Sequence, residues 1–173
     1  SLLSRGQSLW INGSSSAPSP EALSHLEGLG LPVARMPDRL FLGQAGASVA
    51  EWAAMVEASL RTHRCAGAAV DRLVERLPGL PERLAGTMGE LARCVLSKVH
   101  VDHLFIEGGA TSWAVIRSLG LREFTVRHEW DTGIVTLKAD PGAPLISVKP
   151  GSYAWPQAIL DAWLSLSCSG IGG

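Results

Sequence analysis

The run from Leu104 to Gly120 carries the clearest chemical signal in the chain. Leu104-Phe105-Ile106-Glu107 reads as a buried strand and Gly108-Gly109 as a paired-glycine turn. Ala110-Thr111-Ser112 then leads into a helix expected over residues 111–119, starting at a hydroxyl residue and closing at Gly120. Such a strand–turn–helix junction leaves backbone N–H groups unpaired at the helix start. Those donors, with the helix dipole, favour an anion such as phosphate. Glycines let a bulky ligand approach the backbone. A weaker copy of the layout is Leu9-Trp10-Ile11-Asn12-Gly13-Ser14-Ser15-Ser16. Two such loops at the strand ends of one sheet imply a nucleotide-sized ligand between them.

Other reactive side chains give less. Cys65, Cys94 and Cys168 are three in number and far apart, without metal-ligand spacing. They read as reduced thiols of a cytoplasmic protein. His100 and His103 flank a strand start but lack further ligands nearby, so no metal site is expected. Glu107 and Lys149 both end strands. The expectation for each is a water-facing charge, although either could reach a phosphate or its magnesium ion. Thr111 could touch phosphate or cap its helix. Gly151 could approach a ligand or serve a turn. The six tryptophans are expected to pack, Trp155 being the one placed to lie against a base.

The elements needed to hold these residues follow from periodicity and punctuation. Leu9 to Asn12 is a short strand. Pro18 to Pro20 opens a helix that Gly28 and Gly30 close. Leu31 to Met36 is a strand that Pro32 keeps at a start or an edge. Residues 42–47 are a Gly-Ala loop, and Ser48 with Glu51 forms a capping box for a helix to about Thr62. Its apolar face is read as Trp52, Met55, Val56, Ser59 and Leu60. Arg64 to Val70 fits a strand of small residues or a helix start through Leu77; the βα rhythm favours the strand. Pro81 starts a helix to about Lys98, and Val101 to Ile106 is the best central strand. Thereafter Glu123–Trp130, Ile134–Leu137 and Leu145–Lys149 are strands with turns at Asp131-Thr132-Gly133 and Asp140-Pro141-Gly142. Pro156 to Leu166 closes the fold as a helix, with a frayed tail from Cys168. The expected class is α/β: one domain over residues 1–173, a mostly parallel sheet flanked by helices and extended by an antiparallel segment near the end.

A length of 173 residues suits one domain with a proper core. A net charge of −1 gives no footprint of a nucleic-acid binder. No run of about 18 apolar residues spans a membrane, and no secretory signal opens the chain. The chain begins with Ser1 rather than Met and reads as a segment of a longer protein.

Three motifs in order, Asn12-Gly13-Ser14-Ser15-Ser16, Glu107-Gly108-Gly109-Ala110-Thr111 and Val148-Lys149-Pro150-Gly151-Ser152-Tyr153, resemble the C-terminal nucleotide-binding half of the four-carbon acid sugar kinases. That family phosphorylates threonate, erythronate and 3-oxo-tetronate. The resemblance covers the chain from Leu9 to about Leu166. It implies ATP, with Mg²⁺, as cofactor, and nucleotide contacts at Ser14, Gly108, Gly109, Ala110, Thr111 and Gly151. It also implies an N-terminal domain of the same longer chain, which would carry the sugar acid and the catalytic aspartate; no catalytic residue is assigned to this segment. A homo-oligomer is a further expectation. Ala110 stands where the family has an acid, and Pro150 and Ser152-Tyr153-Ala154 depart from its Lys-Ser-Gly-Asn-Phe-Gly turn. Two other classes stay open: a non-catalytic nucleotide or metabolite sensor, and a structural assembly domain whose glycine turns serve packing.

Overall fold

The computed structural model describes residues 2–13, 19–72, 77–151 and 153–167. The element order is β1 (Ser8–Asn12), α1 (Ser19–Gly28), β2 (Val33–Arg35), α2 (Asp38–Phe41), α3 (Ala50–His63), β3 (Cys65–Ala69), α4 (Leu80–Leu96), β4 (His103–Glu107), α5 (Gly109–Ser118), β5 (Thr125–Asp131), β6 (Ile134–Lys138), β7 (Leu145–Lys149) and α6 (Gln157–Ser167). The strands form one seven-stranded sheet in the order β2-β3-β1-β4-β7-β6-β5. From β2 to β7 neighbours are parallel; β6 and β5 are antiparallel. The expected α/β class with an antiparallel extension is what the chain adopts.

Two helical layers cover the sheet. On one face α3, α4 and α5 bury Trp52, Leu60, Leu84, Met88, Leu91 and Val115 against Leu9, Ile11, Leu104 and Ile106. On the other, α1 and α6 bring Leu26, Ile159 and Trp163 against Trp10 and Phe105. Both faces being covered, β1, β3 and β4 are buried at every position, which is why they read as continuous apolar runs rather than alternating ones. Trp10 and Phe105 are cross-strand neighbours and stack at 4.0 Å. Small residues suffice in β3 because its neighbours are large. A side chain at Gly67 would meet Val33 and Leu31 at 3.0–3.1 Å. Arg64 to Val70 therefore resolves as a strand.

Several boundaries differ from expectation. Helix α5 starts at Gly109, with Gly108 as its cap residue, two residues before the expected start at Thr111. Helix α3 starts at Ala50, and Ser48 accepts the Ala50 N–H at 3.3 Å from one position before the cap. Its buried face is Trp52, Ala53, Val56, Glu57 and Leu60. Met55 is exposed instead, because it lies about a sixth of a turn outside that stripe. The short helix α2 was not anticipated. The Ser14–Ser16 loop, Ser152 and the tail from Cys168 lie outside the described residues.

Candidate functional site

The sheet order brings the glycine loops together. Strands β1, β4 and β7 are adjacent and parallel, and Asn12, Glu107 and Lys149 occupy one cross-strand row at their carboxyl ends. Each is followed within two residues by a glycine: Gly13, Gly108 and Gly151. From β1 the chain leaves toward β2 at one side of the sheet; from β4 it leaves toward β5 at the other. The pair β1/β4 is thus a topological switch point, where two loops part and open a crevice.

The loops at that point are tightly fitted. Gly13 donates its N–H to the Glu107 carbonyl at 3.2 Å, and Gly108 donates to the Lys149 carbonyl at 2.9 Å. A side chain on Gly13 would fall inside that of Thr111. Thr111 itself is buried, so its side chain fixes the distance between the two loops rather than capping α5. Gly108 has φ 105° and ψ 131°, a region essentially restricted to glycine. Gly109 is the opposite case. It has ordinary helical φ, and among the described residues nothing lies within 4 Å of where its side chain would be. The described residues therefore leave the space above the first turn of α5 open. Among the described residues no side chain caps that turn, so the N–H groups of Gly109, Ala110 and Thr111 face it as donors.

Beneath the glycines lies a buried charged row. Lys149 Nζ is 3.3 Å from the Glu107 carboxylate, with both side chains almost wholly shielded from solvent. The ammonium also donates to the carbonyls of Pro150, at 3.0 Å, and Tyr153. It sits 5.6 Å over the Trp155 ring. Asn12 Nδ2 approaches Glu107 at 3.5 Å. Burial pushes the Lys149 pKa below its usual value, and the Glu107 charge pulls it part of the way back. Neither residue is the solvated strand-end charge expected. Both strands are interior to the sheet, and Trp155 closes the row from the α6 face. The pair ties the Gly108 turn to the Gly151 turn.

Of the predicted site residues, Gly108, Gly109, Ala110, Thr111 and Gly151 gather at this edge, while Ser14 lies outside the described residues. Ala110 is exposed and opens onto a groove between α4 and α5. Asn12, Glu107 and Lys149 are the members that sequence reasoning missed as a group. Their signal was present as three strands each ending in a polar residue one or two positions before a glycine. The tryptophans divide. Trp10, Trp52, Trp155 and Trp163 are buried, whereas Trp113 is 63% exposed beside Ala110, against the expectation that it packs.

A doubly wound α/β sheet with a glycine-bounded, donor-rich crevice at its switch point defines a phosphate-binding type of domain. Residues 9–153 match the family described as the nucleotide-binding C-terminal domain, and the chain belongs to that family. Among solved structures it resembles a Bordetella bronchiseptica protein described as a domain of unknown function, DUF1537, with bound citrate and in a domain-swapped dimer. The TM-score is 0.75 at 19% identity, over 94% of this chain and 41% of that one. A Haemophilus influenzae protein of the same family gives 0.73 at 16% identity, over 98% and 42%. A Salmonella typhimurium protein gives 0.70 at 14%, over 88% and 38%. These likenesses are of fold, and the chain spans about two fifths of each relative's length. No curated protein matches it.

Proposed function

We propose that this chain is the ATP-binding half of a sugar-acid kinase, which moves the γ-phosphoryl group of ATP to a hydroxyl of a four-carbon sugar acid. The observation that carries the reading is the meeting of Gly13, Gly108–Gly109 and Gly151 on three adjacent strand ends around the open first turn of α5. In this reading the N–H groups of Gly109, Ala110 and Thr111 donate to phosphate oxygens. The absent side chain at Gly109 leaves the phosphates room, and the Glu107–Lys149 pair holds the two turns in register. The P–O bond to the β-phosphate breaks as one to the acceptor oxygen forms, and the acceptor's proton goes to a base in the N-terminal domain. Among the described residues no group of three acidic, histidine or cysteine side chains is placed to hold a metal. Glu107, the carboxylate nearest the loop, is engaged by Lys149. Mg²⁺ in this reading is held mainly by the nucleotide's own phosphates, and no step is assigned to it.

The test is calorimetry with ADP and ATP on the 173-residue chain, alongside a phosphorylation assay with threonate and erythronate. Weak nucleotide binding without phosphorylation is expected. Gly109→Val should abolish binding while far-UV circular dichroism stays native, because no described residue lies within 4 Å of that position. Robust phosphorylation by this chain alone would refute the division of labour. Absence of binding at millimolar nucleotide would favour an assembly domain. Ala110, in place of an acid, supports a second reading as a nucleotide sensor. Phosphoryl transfer by the longer protein carrying both halves would sink it.

A further inference from the structure

We infer that the groove between α4 and α5 is the nucleoside subsite: the base stacks on Trp113 and the ribose hydroxyls bond to Glu82. The inference rests on the nucleotide reading of the Gly108–Gly109 loop and adds where the rest of the ligand lies.

The groove encloses about 570 Å³, within the size range of small-molecule pockets. Ala110, Trp113 and Arg117 line it from α5, and Glu82, Ala85 and Gly86 from α4. On α5 these positions are spaced three and four apart, so they form one face running back from the open first turn. Ala110 belongs both to that turn and to the groove, so the groove begins beside the turn. Trp113 lies ~6 Å along the helix axis from Gly109, about the reach of one ribose.

The side chains suit a nucleoside. Trp113 is a large aromatic surface left 63% exposed, with the Arg117 guanidinium 6.0 Å from its ring centre. Alanine and glycine opposite leave a flat slot of the kind a base needs. Glu82, in the first turn of α4, is an acceptor for a pair of hydroxyls. The rival position is a smaller groove of about 270 Å³ beside Trp155, between α1 and α6. There the indole is already committed. Trp155 is 7% exposed, packs edge-on against Trp10 and Phe105, and has Lys149 over its ring.

The experiment is ¹H–¹⁵N NMR of the labelled chain titrated with ADP and, separately, with inorganic pyrophosphate. Trp113→Phe assigns the Trp113 indole resonance. ADP should move both the Gly109 amide and the Trp113 indole, while pyrophosphate moves the Gly109 amide alone. Trp113→Ala should weaken ADP roughly 10-fold, the size of one base–aromatic stack, and leave pyrophosphate unchanged. The wild type should prefer ADP over its 2′,3′-dideoxy analogue, and Glu82→Ala should remove that preference. If ADP moves the Gly109 amide and the Trp155 indole but not that of Trp113, the base lies on the other face; the nucleoside assignment falls while the phosphate reading stands. If neither ligand moves Gly109, both fall. A Trp113 shift that follows protein concentration without ligand would make the groove a contact between copies and overturn the assignment.

Discussion

Lys149 shows how burial inverts the meaning of a side chain. A solvated lysine can be cut back to alanine almost freely, but this one is held by Glu107 and two carbonyls beneath a covering tryptophan. Removing it leaves the Glu107 carboxylate buried without its ammonium. Lys149→Ala should therefore lower unfolding stability by about 3–5 kcal/mol, measured by denaturant titration. A loss below ~1 kcal/mol would mean that water reaches the pair. Lys149→Met fills the same space without the charge and gives the pH test. Burial lowers the native pKa, so as pH rises toward 10.5 the unfolded chain still holds a proton that the native state has released. The stability of the wild type relative to Lys149→Met should accordingly rise with pH in the alkaline range below 10.5. The glycines of this site were legible in the sequence, because a glycine pair between strand and helix has few other uses. The charges beneath them were not. Whether a strand-end lysine meets water depends on which strands flank it, and β7 stands beside β4 only through the long-range sheet order.

Whole elements were easier to read than their contacts. The strands and longer helices follow from apolar runs and from Gly and Pro punctuation, and even small-residue β3 was recoverable from the βα rhythm. The start of α5 was misplaced because hydroxyl residues are the usual caps, while here Gly108 takes the cap position and Thr111 is consumed in packing against Gly13. The approach of α4 to α5 left a different trace. At Gly89 a side chain would stand 2.6 Å from Ser118 Oγ and 2.7 Å from the Ala114 carbonyl oxygen, a backbone atom that cannot rotate away. Glycine mid-helix costs up to about 1 kcal/mol of propensity relative to alanine, so its presence there implies a neighbour too close for a methyl group. Gly89→Ala should consequently destabilise the fold by about 1–3 kcal/mol despite its gain in propensity. Gly86→Ala, three residues earlier with no described residue within 4 Å, should be neutral or stabilising. Thermal unfolding of the two variants side by side decides the point. Equal shifts would mean that the helices can separate at no cost, and the groove between them would then lack fixed walls.

At the scale of the whole molecule, the parallel core and the antiparallel extension are joined by a buried polar chain. Trp130 Nε1 donates to Thr136 Oγ1 at 2.8 Å, Thr136 and Ser147 share a bond of 2.7 Å, and Ser147 Oγ lies 2.8 Å from His103 Nε2. The Ser4 N–H approaches His103 Nδ1 at 3.4 Å, so the neutral ring accepts there and carries its proton on Nε2, toward Ser147. The ring also stacks on Phe105 at 4.1 Å. A neutral histidine completes this chain of bonds, and burial lowers its pKa from 6.5 to about 3. The sign of the consequence is fixed. Between these values the unfolded chain binds a proton that the native state refuses, so stability present above pH 6.5 is lost as pH falls toward 3. The shift corresponds to roughly 5 kcal/mol at about 1.4 kcal/mol per unit, a large share of the stability of a domain this size. His103→Asn would lose ring packing and be less stable at every pH, but that loss is independent of pH. The wild type should therefore lose stability more steeply than His103→Asn between pH 6.5 and 3 in urea titrations. Parallel profiles would show that the native state takes up a proton at His103 without penalty. The joint between core and extension would then admit water, and acid sensitivity would have to reside in the carboxylates.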